Sequence, residues 1–268
     1  MRLISFVVLG LAVTSLAGCD SDEITTAERP PLAGVRIINA LAQGQAVDVK
    51  AVDQIEWSPE ANGLAYRGAT IHYPTEAKAR HLRVFPTSTD IAVTSVPLLD
   101  TTITFEANTR VTLILTGSVA ANTERFVVIT DDITPPPAGQ IGVRVVNAST
   151  TAIDAGVVNA VADPLPSPRT FAGVGPLAAS PYINRPSGSV AVRTALAGSA
   201  TVAASAVGPT AAAATPGALP GAGINTPLTK FSVYYFPAIT AIAASQGRPA
   251  VAATAASLVW LIDRNPAD

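Results

Sequence analysis

The chain is short of the residues that most chemistries need. One cysteine and two histidines occur in 268 residues, so no intrachain disulfide can form. A zinc site, which wants three or four Cys, His or carboxylate ligands, has little to draw on. Charged side chains make up only 13%, against roughly a quarter in ordinary domains. A net charge of −2 gives no positive field for a phosphate backbone, so nucleic acid is not an expected partner. Three signatures are also missing: the G-x-S-x-G elbow of a nucleophilic serine, a glycine loop that cradles phosphate and a D-x-D-x-D-G calcium loop. The polar surface must therefore come from Thr, Ser, Asn and Gln, which suits exposed β-sheet.

What is present is a repeat. Val35-Arg36-Ile37-Ile38-Asn39-Ala40 returns as Val143-Arg144-Val145-Val146-Asn147-Ala148. Each copy opens a series of short runs rich in Val, Ile, Leu, Thr, Phe and Tyr, cut by turn residues about every eight to twelve positions, the pattern of an all-β sandwich or barrel. In the first copy the expected strands are Val35–Ala40, Val47–Val52, Leu64–Tyr66, Thr70–Tyr73, His81–Thr87, Ser95–Leu99, Thr101–Glu106, Arg110–Thr116 and Phe126–Asp131. No run keeps a long 3.6-residue period, so helices should be scarce. In Arg110–Thr116, residues Val111, Leu113 and Leu115 share one face, which should meet the core. Pro135-Pro136-Pro137 cannot donate to a ladder and reads as a semi-rigid spacer. The boundaries that follow are a first domain over 33–132, a linker over 133–139 and a second domain over 140–268.

The front of the chain has a different character. Met1-Arg2 is positive, and Leu3 to Ala17 carries no charge, the layout of a signal peptide. That span is at the short edge of the ~17–25 residues of a membrane helix. Its end, Leu16-Ala17-Gly18-Cys19, resembles the bacterial lipobox. The resemblance implies a signal peptide over residues 1–18 and a covalent lipid on Cys19, with Leu16, Ala17 and Gly18 as the peptidase recognition residues. No other cofactor is expected. Two or more acyl chains anchor stably where one holds only marginally. Residues 19–32 are acidic and proline-bearing and read as a flexible tether. The implied place is the bacterial cell envelope, with the outer membrane favoured, although Asp20 resembles a signal for inner-membrane retention. The membrane would be a partner through the lipid, and an envelope polymer or protein a second one.

The order V-R-[IV]-[IV]-N-A, then Val47-Asp48-Val49, Gly63-Leu64-Ala65-Tyr66, Thr109–Gly117 and Val127–Asp132 resembles the bacterial domain of unknown function 4397 over roughly residues 33–132. That resemblance implies an immunoglobulin-like antiparallel β-sandwich of an envelope protein, often in tandem, with no established catalytic residue. The second copy diverges. Asp154 stands where Asp48 does, Phe171–Val174 loosely resembles Leu64–Tyr66, Phe231–Phe236 takes the place of Arg110–Thr116, and Leu258–Asp263 that of the closing strand. The second copy is the longer, so it contains an insertion. The main candidate is Gly208–Pro227, an Ala/Pro/Gly-rich stretch that reads as a mobile loop, with a smaller irregularity at Ser245–Pro249.

Few side chains suggest a site. His72 and His81 both fall in expected strands and read as structural. Trp57 and Trp260 lie in different copies, and Tyr234 and Tyr235 point to opposite faces of one strand, so no sugar-stacking platform is apparent. Arg36 and Arg144 are the most pointed pair, because they occupy the same slot of the repeat. They are either a repeated ligand contact or, as strand geometry favours, arginines laid across their own sheets toward Asp131 or Asp263. The expectation is a non-enzymatic, lipid-anchored module for structure or interaction, and the alternative is a receptor for envelope glycan or peptide.

Overall fold

Alternation decides the first strand, and its two faces have different fates. Along β1 (Leu32–Asn39), Val35 lies in a core with Leu82, Val111 and Leu113, whereas Ile38 on the other face joins Ile114, Val146, Tyr234 and Phe236. The computed structural model describes residues 30–43, 45–53, 61–211 and 222–267. Leu16, Ala17, Gly18, Cys19, Asp20, most of the tether, Trp57 and the centre of Gly208–Pro227 lie outside them.

The first unit continues with β2 (Val47–Ala51), β3 (Tyr73–Glu76), β4 (Ala79–Pro86), a one-turn helix α1 (Ile91–Thr94), β5 (Leu99–Thr104), β6 (Arg110–Thr116) and β7 (Arg125–Thr130). These strands make two sheets, of order β3-β1-β6-β7 and β2-β4-β5. The second unit comprises β8 (Gln140–Asn147), β9 (Ile153–Val158), β10 (Phe171–Val174), β11 (Ile183–Pro186), β12 (Ala191–Leu196), β13 (Val202–Val207), β14 (Lys230–Phe236) and β15 (Ser257–Arg264). Its sheets are β11-β8-β14-β15 and β10-β9-β12-β13, so the order of the first sheet recurs strand for strand. The fold is all-β and of sandwich type, as its short alternating runs indicate.

Several local expectations need correction. The sheets are not wholly antiparallel: β1 pairs parallel with β6, and β8 parallel with β14. Alternation is the same in either pairing, so it gave no warning. Leu64–Tyr66 is no strand; Leu64 makes a single bridge to Val47 and the chain then turns through Arg67 at φ +68. Thr70–Tyr73 pairs only from Tyr73, because the Thr70 hydroxyl takes the ladder's place and accepts from the Ile37 amide at 3.0 Å. Ser95–Leu99 is preceded by α1, whose N-terminus is capped by the Asp90 carboxylate accepting from the Ala92 amide. The strand then starts at Leu99 and runs unbroken to Thr104. The loose match of Phe171–Val174 to Leu64–Tyr66 takes a definite form: Gly173 is the counterpart of Gly63 and Val174 that of Leu64. Each glycine amide donates to the aligned aspartate, Gly63 to Asp48 at 2.6 Å and Gly173 to Asp154 at 2.8 Å, and each adopts φ +61.

The excess length of the second unit sits in two connections. The stretch between β13 and β14 is built into its core at both ends, where Gly208 donates to Val190 and Ile224 is buried. The other connection, between β14 and β15, is an extended hairpin far larger than the irregularity expected at Ser245–Pro249. It lies against the first unit: Arg67 donates to the Ala255 carbonyl at 2.5 Å and Arg248 to that of Ala46 at 3.1 Å. Across the linker, the β3-β1-β6-β7 sheet packs face to face on β11-β8-β14-β15.

Candidate functional site

The most unusual group in the molecule is a set of buried charges between the two units, and the repeat itself supplies it. Arg36 is 2% exposed. Its Nε donates to the Thr112 hydroxyl on the adjacent strand at 3.0 Å, and its terminal nitrogens cross to the second unit. There they reach the Ile262 carbonyl at 3.1 Å, Tyr234 Oη at 3.1 Å and Asp263 Oδ1 at 2.6 Å. Arg144 repeats the pattern in reverse. Its Nε donates to the Ser232 hydroxyl at 2.7 Å, and its terminal nitrogens cross to the Thr130 carbonyl at 3.0 Å and to Asp131 Oδ1. A pseudo-twofold axis thus relates Arg36 to Arg144, Thr112 to Ser232 and Asp131 to Asp263.

Each carboxylate is held from both sides. On Asp131 Oδ2, Thr112 Oγ1 donates at 2.7 Å and His72 Nε2 lies at 2.9 Å, with Arg36 farther off at 3.6 Å. On Asp263 Oδ2, Ser232 Oγ donates at 2.6 Å and Tyr182 Oη at 2.7 Å. His72 and Tyr182 occupy equivalent places, each following a Thr or Ser (Thr70, Ser180) that binds its own opening strand. Burial alone would raise the Asp131 pKa, but the His72 contact, the two arginines and the Thr112 hydroxyl together lower it below the ordinary carboxylate value. Burial works against the charged forms of Arg36 and Arg144 too, and the surrounding Tyr and Asp groups overcome it and raise both. The core of the network is two guanidinium ions and two carboxylates, so it is close to neutral and well supplied with hydrogen bonds. Those are the conditions in which buried ions are tolerated.

Sequence reasoning identified the four principal members but sent the arginines along their own sheets. They span the gap between units because side chains at even positions of β1 and β8 face the opposing sheet, and the nearest carboxylates on that side belong to the other unit. Thr112, Ser232, Tyr182 and the role of His72 went unseen. The available signal was that their neighbours fall on one face of aligned strands.

Around the charges the interface is apolar. Ile38, Ala40, Ile114, Val146, Ala148, Tyr234 and Phe236 form one buried cluster, and Tyr66 meets Phe236 edge to face at 5.8 Å between ring centres. Removal of such side chains from water is worth ~1.5–3 kcal/mol for each large one. Burial therefore drives the contact, and the charge pairs fix its register. Beneath it, the repeated asparagines clasp loops inside each unit. Asn39 Nδ2 donates to the Gln45 and Leu64 carbonyls, and its Oδ1 accepts from Leu41; Asn147 does the same for Thr151, Val174 and Ser149.

The two histidines do not converge. His72 lies at the interface, whereas His81 sits on the exposed face of β4 with Asp100, which also accepts from Arg83 at 2.7 Å. The Thr112 hydroxyl, the nearest to Asp131, is committed to that carboxylate and to Arg36. Among the described residues, no cluster of three His, Cys, Asp or Glu side chains is placed to hold a metal. Tyr235 belongs to the second unit's core and Tyr234 to the interface, so neither offers a platform for sugar. A groove of about 580 Å³ opens beside the network, lined by Ile71, His72 and Arg110 of the first unit and by Trp260 and Ile262 of the second.

Residues 33–159, just under half of the chain, match the family described as "Domain of unknown function (DUF4397)". The match spans the first unit and continues through the linker into β8 and β9. No curated protein matches the chain.

Proposed function

We propose that this is a lipid-anchored protein of the bacterial cell envelope, in which two copies of the DUF4397-type unit, the second divergent, act as one rigid, non-enzymatic structural or interaction module. The observation that carries the reading is Leu16-Ala17-Gly18-Cys19, with the chain's only cysteine at the end of an uncharged leader. The fold supports it. The first described residues, the linker and the start of β14 lie at one end, since Arg110 donates to the Asp263 carbonyl and Lys230 to Asp132 across the units. A tether at that end would present the opposite loops to the envelope polymer or protein that serves as partner. Anchorage would be at the outer membrane, or at the inner one if Asp20 acts as a retention signal. The test is incorporation of labelled palmitate by the full chain and its loss in Cys19→Ala. An unlabelled wild type overturns the anchor.

A second reading, a receptor for envelope glycan or peptide, draws support from the groove beside Trp260, whose volume falls in the ~300–1,000 Å³ range of ligand sites. Deletion of residues 212–221 spares the core residue Ile224 and tests the insertion as a recognition loop. Unchanged binding to envelope fractions would remove the insertion from that reading.

A further inference from the structure

The pseudo-twofold axis that relates Arg36 to Arg144 breaks down at one position, and a pocket stands there. Register fixes the equivalences: Val35 pairs with Val111 and Val143 with Phe231, so Ile114 matches Tyr234 and Thr116 matches Phe236. Ile114, Tyr234 and Phe236 all face the interface, and alternation along β6 puts Thr116 on the same side as Ile114. The bridges Ile38–Ala69 and Val146–Ala179 likewise match Tyr66 with Pro176. On one side of the axis Phe236 meets Tyr66 edge to face at 5.8 Å. On the other side the matching residues are Thr116 and Pro176, and neither brings an aromatic ring.

A pocket of about 260 Å³ results. Equivalent residues line it in pairs, Ala40 with Ala148 and Gly117 with Pro237, so it lies on the axis, and Tyr66 and Leu177 wall it from opposite units. An apolar cavity of about 150 Å³ takes up benzene, so this one has room for a ring and a short substituent. Its polar groups are on the remaining wall. Thr116 and Arg125 are direct cross-strand partners of β6 and β7, which sets their side chains next to each other on one face. Thr116 is 5% exposed, yet its hydroxyl bonds to no described residue, whereas buried hydroxyls are normally bonded. Arg125 is exposed at the mouth and makes no ion pair with a described residue. Among the described residues that line the pocket it alone is charged.

We propose that this pocket binds a small aromatic carboxylate. The ring lies against Tyr66, Leu177 and the paired alanines, in place of the ring that Thr116 does not supply. The carboxylate accepts from the Thr116 hydroxyl and the Arg125 guanidinium, and the second of these bonds is charge-assisted. The site is separate from the groove beside Trp260 and independent of lipid attachment.

Titration of phenylacetate and of its uncharged analogue phenylacetamide into the full chain, followed by ligand-detected NMR, tests it. Phenylacetate should bind with a dissociation constant of about 1 mM or below, within reach of a ligand of its size, and roughly tenfold tighter than phenylacetamide. Thr116→Phe supplies the missing ring and should abolish binding of both. Thr116→Val removes the hydroxyl while keeping the shape, and should weaken phenylacetate several-fold even if the larger side chain disturbs the fold. Arg125→Gln, an exposed change, should bring the acid to the level of the amide. Circular dichroism identifies the folded variants. No binding of phenylacetate, binding that survives Thr116→Phe in a folded protein, or acid and amide bound equally by wild type would each overturn the proposal.

Discussion

Replacement of Arg36 by methionine removes one guanidinium from the interface while keeping much of its volume. Four hydrogen bonds go with it, to Thr112, Ile262, Tyr234 and Asp263. Asp263 is then buried with only the Ser232 and Tyr182 hydroxyls donating to it, and the nearest remaining cation, Arg144, is bonded to Asp131 instead. Loss of one partner from a buried pair costs about 3–5 kcal/mol, because the remaining charge stays desolvated. For a cooperative body of this size, about 2–4 °C of melting temperature per kcal/mol puts the expected drop at roughly 6–20 °C. Thermal melts followed by far-ultraviolet circular dichroism read it directly. Arg36→Met/Asp263→Leu should recover much of the loss, since a well-packed apolar pair commonly matches a buried ion pair. A drop below about 2 °C for the single variant, or a double variant as unstable as the sum of its parts, would refute a buried and coupled pair.

The remaining expectations use the same logic. The pKa values of Asp131 and Asp154 are lowered in the fold, the first despite burial by His72, the arginines and Thr112, the second by the Gly173 and Gly198 amides. A lowered carboxylate stabilises fully above its unfolded pKa of about 3.9 and loses that contribution as pH falls from there through the folded value. Melts recorded below about pH 4 should show falling stability, with a smaller fall in Asp131→Asn; a flat profile would contradict the shift. Asn39→Ala should cost about 2 kcal/mol, as the Gln45 carbonyl and the Leu41 amide lose this partner and the Leu64 carbonyl keeps only the Val47 amide, and urea titration with an unchanged slope would show it. Gly208→Val should destabilise the second unit, since any side chain there meets Ile224 and the Val190 carbonyl, and proteolysis near β13 should become faster.

Much of the strand content could be read from the chain because alternation is local. Val111, Leu113 and Leu115 face the core as their spacing requires. The boundaries that failed, at Thr70–Tyr73 and Ser95–Leu99, are places where a side chain replaced a ladder bond or capped a turn, and neither event disturbs the run of β-prone residues. The interface left a trace as well. Phe231-Ser232-Val233-Tyr234-Tyr235-Phe236 is almost wholly apolar, the mark of a strand buried on both faces. Which surface covers its second face depends on packing between residues more than a hundred positions apart, and no local pattern reports that. The arginine slot was visible because it repeats, and its crossing was not because direction across a gap is set by the pose of two sheets.

The apolar contact between the two facing sheets, keyed by the reciprocal arginines, makes the two sandwiches one body. A protease site inserted between Pro137 and Gly139 and then cut tests this with every interface residue intact. The cut halves should co-elute at the mass of the uncut chain and melt in a single transition. Two separating species at native pH and moderate salt would contradict it.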